Sequence, residues 1–199
     1  MYVITSDQRD SRTTADLVPA ALAAVGTHAR SGLSLPPERT AGDEVQVAVA
    51  DADSLLAIVL DLTRTGRWSV GVGVGEVESP LPASVRAARG DAFVNARDAV
   101  DRAKKASTRV AITASDGGAD AEALVRLLVE LRDRRTTEGW EVYDLLADGM
   151  TQREAAAQLG ITEGAVSLRV KSAGLRTEEA AVPALIRVLA RLDEAAVSD

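Results

Sequence analysis

The chain has no cysteine, which excludes disulfides, thiolate metal centres and cysteine nucleophiles. Its single histidine, His28, excludes multi-histidine metal sites and leaves any Ser-His-Asp arrangement resting on that residue alone. Only 3% of the chain is aromatic against 46% hydrophobic, so a core must be built mainly from Ala, Val and Leu. Long apolar runs are also missing, and the longest, Leu55 to Leu60, is far too short to span a bilayer. Met1 to Asp10 reaches charge too soon for a signal peptide, which makes a cytoplasmic protein without a membrane partner the expectation. Lysine is scarce beside arginine, with Lys104, Lys105 and Lys171 the only three. With abundant alanine, that bias points to a GC-rich, bacterial genome. The net charge of −7, from 30 acidic and 23 basic residues, argues against a general polycation with broad affinity for phosphate backbones. It leaves room for a local basic face.

What is present divides at about residue 135. The first part mixes strand and helix signals. Tyr2-Val3-Ile4-Thr5 is a β-rich run, and Leu17, Ala20, Ala21 and Ala24 recur at helical spacing, which predicts a helix over 14–29. Ser34-Leu35-Pro36-Pro37 reads as a break. Val45, Val47 and Val49 alternate after the turn signal Gly42-Asp43, which predicts a β-hairpin with that pair at its tip. An amphipathic helix follows over 53–65, with Asp53 or Ser54 as its cap. Val70, Val72 and Val74 share one face of a strand over 68–77, and Gly71, Gly73 and Gly75 the other. Such strand glycines mark close backbone packing and lack the spacing of a dinucleotide fingerprint. A helix over 92–105 carries Phe93, Ala96, Ala99, Val100 and Ala103 on its apolar side, and Arg109 to Thr113 is a further strand. A helix over 120–135 has Leu124, Leu127, Leu128 and Leu131 as its stripe. Beyond it the strand signal disappears and the rest is helical pattern.

The strongest motif lies in that second part. Thr151 with Glu154 is a capping box, Gly160 ends the helix it starts, Ile161 fills the corner, and Thr162 caps the next helix. Val166 and Val170 fall at i, i+4 and face inward, below a preceding helix whose buried stripe is Tyr143-Leu145-Leu146. This is helix-turn-helix spacing. The stretch Trp140 to Leu175 resembles the helix-turn-helix of LuxR-type regulators and of sigma factor region 4. The resemblance implies a recognition helix over 162–173 and DNA contacts from Thr151, Arg153, Thr162, Glu163, Ser167, Arg169, Lys171, Ser172 and Arg176. Residues 138–199 hold more acids than bases, yet four of the six bases fall between Arg153 and Arg176. A modest basic face on an acidic body fits a sequence-specific binder with low general affinity. The apolar stripe of 183–196 either closes this bundle or pairs with a second subunit as a homodimer.

In the first part, Asp7 follows a strand and Asp43 sits at a hairpin tip. Laid side by side, the two carboxylates are candidate Mg²⁺ ligands beside a nucleotide. The order of fragments resembles the class III nucleotidyl cyclase and GGDEF palm, and more closely the SatD family. The likeness is carried by Asp7 with Ser11-Arg12, Gly42-Asp43-Glu44-Val45-Gln46, Gly71 to Glu76, Gly90-Asp91-Ala92-Phe93 and Ala96-Arg97. It implies a ferredoxin-like α/β (α+β) palm over 1–135, ahead of an all-α helix-turn-helix domain over 136–199. It implies a possible nucleotide site at Asp7, Ser11, Arg12, Asp43, Gly73 and Arg97, with Asp7 and Asp43 as the metal pair. Cyclases place an asparagine four residues after a glycine; here Gly90 to Asn95 is one residue out of register. No lysine lies between Asp43 and Arg97 to hold a base or phosphate.

The reading is therefore a DNA-binding transcriptional regulator, not an enzyme. Its palm is a non-catalytic sensing or dimerisation scaffold needing no cofactor. The alternatives are a Mg²⁺-dependent nucleotide-binding or cyclase-like enzyme using Asp7 and Asp43, and a purely structural interaction module. Asp7, Asp10 and Asp43 as solvated turn residues is the plain reading of the acidic group.

Overall fold

The computed structural model describes residues 1–28 and 32–196. Ala29, placed by the sequence in the first helix, and residues 197–199 lie outside these. The chain is an α+β protein that forms two compact units, Met1–Arg126 together with the residues from Leu185 onward, and Leu127–Ala184.

The first unit is built on β1 (Tyr2–Gln8), α1 (Val18–His28), β2 (Leu33–Arg39), β3 (Glu44–Val49), α2 (Ala52–Arg64), β4 (Trp68–Val74), α3 (Asp91–Ala103) and β5 (Val110–Thr113). The strands make one sheet in the order β2-β3-β1-β4-β5. β1 runs antiparallel to both β3 and β4, and β5 parallel to β4. Because side chains alternate across a strand, the register sorts the sheet into two unlike faces. Tyr2, Ile4, Val45, Val47, Val49, Val70, Val72 and Val74 form a bulky aliphatic face, all of it buried. The other face carries Val3, Thr5, Ala48, Gly71, Gly73 and Ala111 and receives α3 at close range through Ala92, Ala96, Ala99 and Ala103. Small residues on both partners let the helix backbone lie almost on the sheet.

Several sequence expectations change. The supposed break at Ser34–Pro37 is strand β2. β2 is an edge strand paired only with β3 and carries two register shifts, so Pro36 and Pro37 sit where a missing N–H is tolerated. α2 starts one residue early. Its cap is Asp51, whose Oδ1 accepts from the Ser54 amide at 2.7 Å, while Ser54 is a buried first-turn residue. α1 begins only at Val18, because the Gln8 side chain accepts the Leu17 amide at 2.8 Å and donates to the Ala15 carbonyl, fixing that segment as loop. β4 ends at Val74, short of Val77.

α4 (Gly118–Asp133) shows the largest departure. Ala121, Val125, Leu128 and Val129 are its buried hydrophobic residues, whereas Leu124 and Leu127 stand 44% and 66% exposed. The leucine spacing and the smaller Ala/Val spacing are both helical. The buried one is the one that also carries Glu122, which accepts from the Ile112 amide at 2.8 Å and pairs with Arg102 and Arg126.

The last helix, α8 (Leu175–Ala196), contains Pro183 and is shared between the units. Its second half carries the apolar stripe. Leu185, Leu189 and Leu192 are buried, the Tyr2 hydroxyl donates to the Leu189 carbonyl at 3.0 Å, and the amino terminus of Met1 pairs with Asp193. Burial, then Asp193, Glu194 and Asp51, push the Tyr2 hydroxyl far above its ordinary range, so it stays a neutral donor. That stripe therefore closes the first unit. Among the described residues no helix is long and apolar enough to cross a membrane.

Candidate functional site

The second unit is helical. α4 leads to α5 (Thr137–Ala147), α6 (Gln152–Leu159), α7 (Glu163–Ser172) and the start of α8. Each of α5, α6 and α7 has a threonine cap. The hydroxyls of Thr136, Thr151 and Thr162 accept from the amides of Gly139, Glu154 and Ala165, each at 3.2 Å. At Thr151 the box is reciprocal, since the Thr151 amide donates to Glu154 Oε2 at 2.8 Å. Gly160 turns the chain with φ 66°, a left-handed conformation that costs other residues strain, and Ile161 drops onto the core behind it. That core is Val142, Ala156, Val166 and Val170 with Leu146, Leu159, Ile161 and Leu175 around it. The expected stripe Tyr143-Leu145-Leu146 is only half-buried. Gly139 and Val142 are the inward positions, one helical turn apart, and Tyr143 is used elsewhere.

Inward Val166 and Val170 leave Glu163, Ser167, Leu168, Lys171 and Ser172 of α7 on the exposed side. Arg153 and Arg176 are exposed as well, and among the described residues none pairs with Arg153, Lys171 or Arg176. Ser167, Lys171, Arg176 and Thr177 line a shallow hollow beside α7. Arg169 is different: it turns back to Glu141 of α5, 3.1 Å from Oε2, and is 27% exposed. Of the nine residues expected at a DNA surface, eight lie at solvent and Arg169 ties α7 to α5.

The acidic caps give a pH dependence. The Thr151 amide and hydroxyl hold the Glu154 carboxyl below the usual glutamate range. A lowered folded-state value means the stabilisation is complete above the unfolded value and is lost as pH falls through the folded one. Between about pH 5 and pH 3 the wild type should therefore lose more melting temperature than Glu154→Gln, whose neutral amide keeps the box at any pH. Equal slopes in paired thermal melts would remove this account of the cap.

A cluster that no short motif announces lies beneath these helices. The carboxylate of Glu178 is shared by the guanidinium groups of Arg132 and Arg135, and Arg135 Nε donates to the Ala173 carbonyl at 2.9 Å. Both guanidiniums stack on aromatic faces. Arg132 Cζ stands 4.9 Å from the Trp140 ring centre and 5.2 Å from that of Tyr143, and Arg135 Cζ 4.8 Å and 5.0 Å. The one sequence signal is matched spacing: two arginines three apart, one at the end of α4 and one just beyond it, and two aromatics three apart on α5.

The carboxylates of the first unit also have partners. Asp7, at the end of β1, is 2.9 Å from Lys104 Nζ, and Asp43 accepts from the Ser11 hydroxyl. Glu44 binds Arg97 through both guanidinium nitrogens, at 2.5 Å and 3.1 Å. Lys104, absent from the sequence expectation, is the cation next to Asp7. Burial works against its charge, but Asp7, Asp101 and Glu44 outweigh that and raise its pKa. Asp7, Asp10, Ser11, Arg12 and Asp43 line one open hollow with Lys104. Gly73 is not with them, because it lies against the backbone of α3 at Ala92 and Ala96, and Arg97 reaches Glu44 rather than Asp7. Among the described residues no group of three or more His, Asp or Glu side chains is placed to hold a metal ion.

Comparison with protein-family models, with curated proteins and with solved structures finds no match to this chain.

Proposed function

We propose that the chain is a sequence-specific DNA-binding regulator of transcription that reads the major groove with α7, in the cytoplasm and as a homodimer on two half-sites. The observation that carries this is the α6–α7 pair. A capped short helix, a left-handed glycine turn and a second capped helix present an exposed outer face, with the exposed cations Arg153, Lys171 and Arg176 unpaired among the described residues. Phosphates position such a unit and base edges specify it. The first unit is proposed as a ferredoxin-like palm of SatD type that scaffolds and does not catalyse. The strand order β2-β3-β1-β4, with α1 and α2 as its crossovers, supports the palm. The pairing of Asp7 with Lys104, Asp43 with Ser11 and Glu44 with Arg97 supports a structural role for the acids.

Salt titration of binding to genomic fragments tests the proposal. Lys171→Ala with Arg176→Ala should lower the slope of log affinity against log salt by about one per contact. Both side chains are exposed, so the melting temperature should hold. An unchanged slope would mean that α7 does not carry the phosphate contacts.

A further inference from the structure

The outer pole of α7 carries a large, exposed apolar side chain. Val166, Val170 and Ala173 are buried on one side of the helix. At about 100° per residue, Leu168 lies about 200° round from Val166. It is 69% exposed, the most exposed large hydrophobic among the described residues. One turn earlier on the same line is Gly164. A Cβ there would meet only Thr162 Oγ1, at 3.9 Å, so nothing of the protein stands in front of the helix backbone. One turn later is Ser172, also exposed. No charge interrupts this line. Arg169, which could have reached across, is drawn to Glu141, and Lys171 and Arg176 line one hollow beside α7.

The surface is therefore an apolar knob on a slim ridge with a positive flank. A DNA major groove is its complement, with anionic walls and a floor of polar base edges broken by one apolar group, the thymine C5-methyl. Gly164 lets the ridge approach the floor, and the two Cδ methyls of Leu168 are what first meets it. We propose that Leu168 is a specificity-determining residue that selects a thymine in each half-site by packing on its C5-methyl. This rests on the DNA-binding reading above and adds the base that α7 prefers.

The test begins with the full chain selecting duplexes from a random library. Each thymine of the selected site is then replaced singly by deoxyuridine, which removes the methyl and keeps every hydrogen-bonding group. At one position per half-site the wild type should lose about fourfold in affinity, the worth of one buried methyl. Leu168→Ala should bind more weakly and be indifferent to that same replacement, because the coupled partner is gone. Its exposure predicts an unchanged melting temperature. Wild-type indifference to deoxyuridine at every position overturns the role of Leu168 while leaving DNA binding intact. So does an equal loss in Leu168→Ala. A library from which nothing is enriched overturns the DNA-binding reading, and this inference with it.

Discussion

Glu178→Ala is expected to cost about 3–5 kcal/mol, the magnitude for stripping a buried ion pair of one partner. The glutamate pairs with both Arg132 and Arg135, whose side chains are 5% and 0% exposed. The aromatic faces of Trp140 and Tyr143 offset part of the cost of burying two cations, and the Ala173 carbonyl takes one N–H, but neither supplies a negative charge. Domains are stable by only about 5–15 kcal/mol, so the helical unit would be near its limit. The side chains involved join α4, α5, the end of α7 and the start of α8, so the loss should also reach the proposed DNA binding. Urea unfolding read by Trp140 fluorescence in a Trp68→Phe background measures it. Replacing Arg132, Arg135 and Glu178 together with apolar residues should recover most of the stability, because charges that are absent need no partner. A loss below about 1 kcal/mol for Glu178→Ala would show that the cluster is not a buried ionic clamp.

The opposite unit has an equally sharp point. Gly73→Ala is expected to destabilise by about 3 kcal/mol, the upper end for overpacking. A methyl there would overlap the Ala92 carbonyl and the Ala96 amide, and at Gly71 it would overlap the Val100 amide. These are backbone atoms of α3 and cannot step aside by a rotamer change. The helix would have to lift off the sheet, opening the Val3–Ala48–Ala96 packing beneath it. Gly26→Ala in α1 is the control, since its added methyl meets nothing within 4 Å. There the same substitution should stabilise by about 0.5–1 kcal/mol through helix propensity. The two variants should move the urea midpoint in opposite directions. Equal midpoints would refute the close helix–sheet contact.

The glycine face of β4 and its valine alternation were legible in the sequence because the period of a strand is short and local. So were the caps of α6 and α7, where Thr151 reaches Glu154 and Thr162 reaches Ala165, each three residues on. What was hidden depends on partners distant in sequence. Pro36 and Pro37 read as a break until β2 is known to be an edge. The Leu124/Leu127 stripe of α4 looks as inward as the Ala121/Val125 stripe until tertiary packing selects one. Lys104 finds Asp7 across 97 residues of chain, and Glu178 finds Arg132 across 46. No local pattern encodes either pair. Likewise no local pattern shows that Arg169 of α7 pairs with Glu141 of α5, 28 residues away.

The central claim, that this chain is a specific DNA binder acting through α7, is tested most directly by a genome-wide footprint of the full-length protein. The account predicts a limited set of discrete protected sites, each with two related half-sites, all lost in Lys171→Ala with Arg176→Ala. Uniform weak protection, or none at protein concentrations well above those of typical operators, would contradict it.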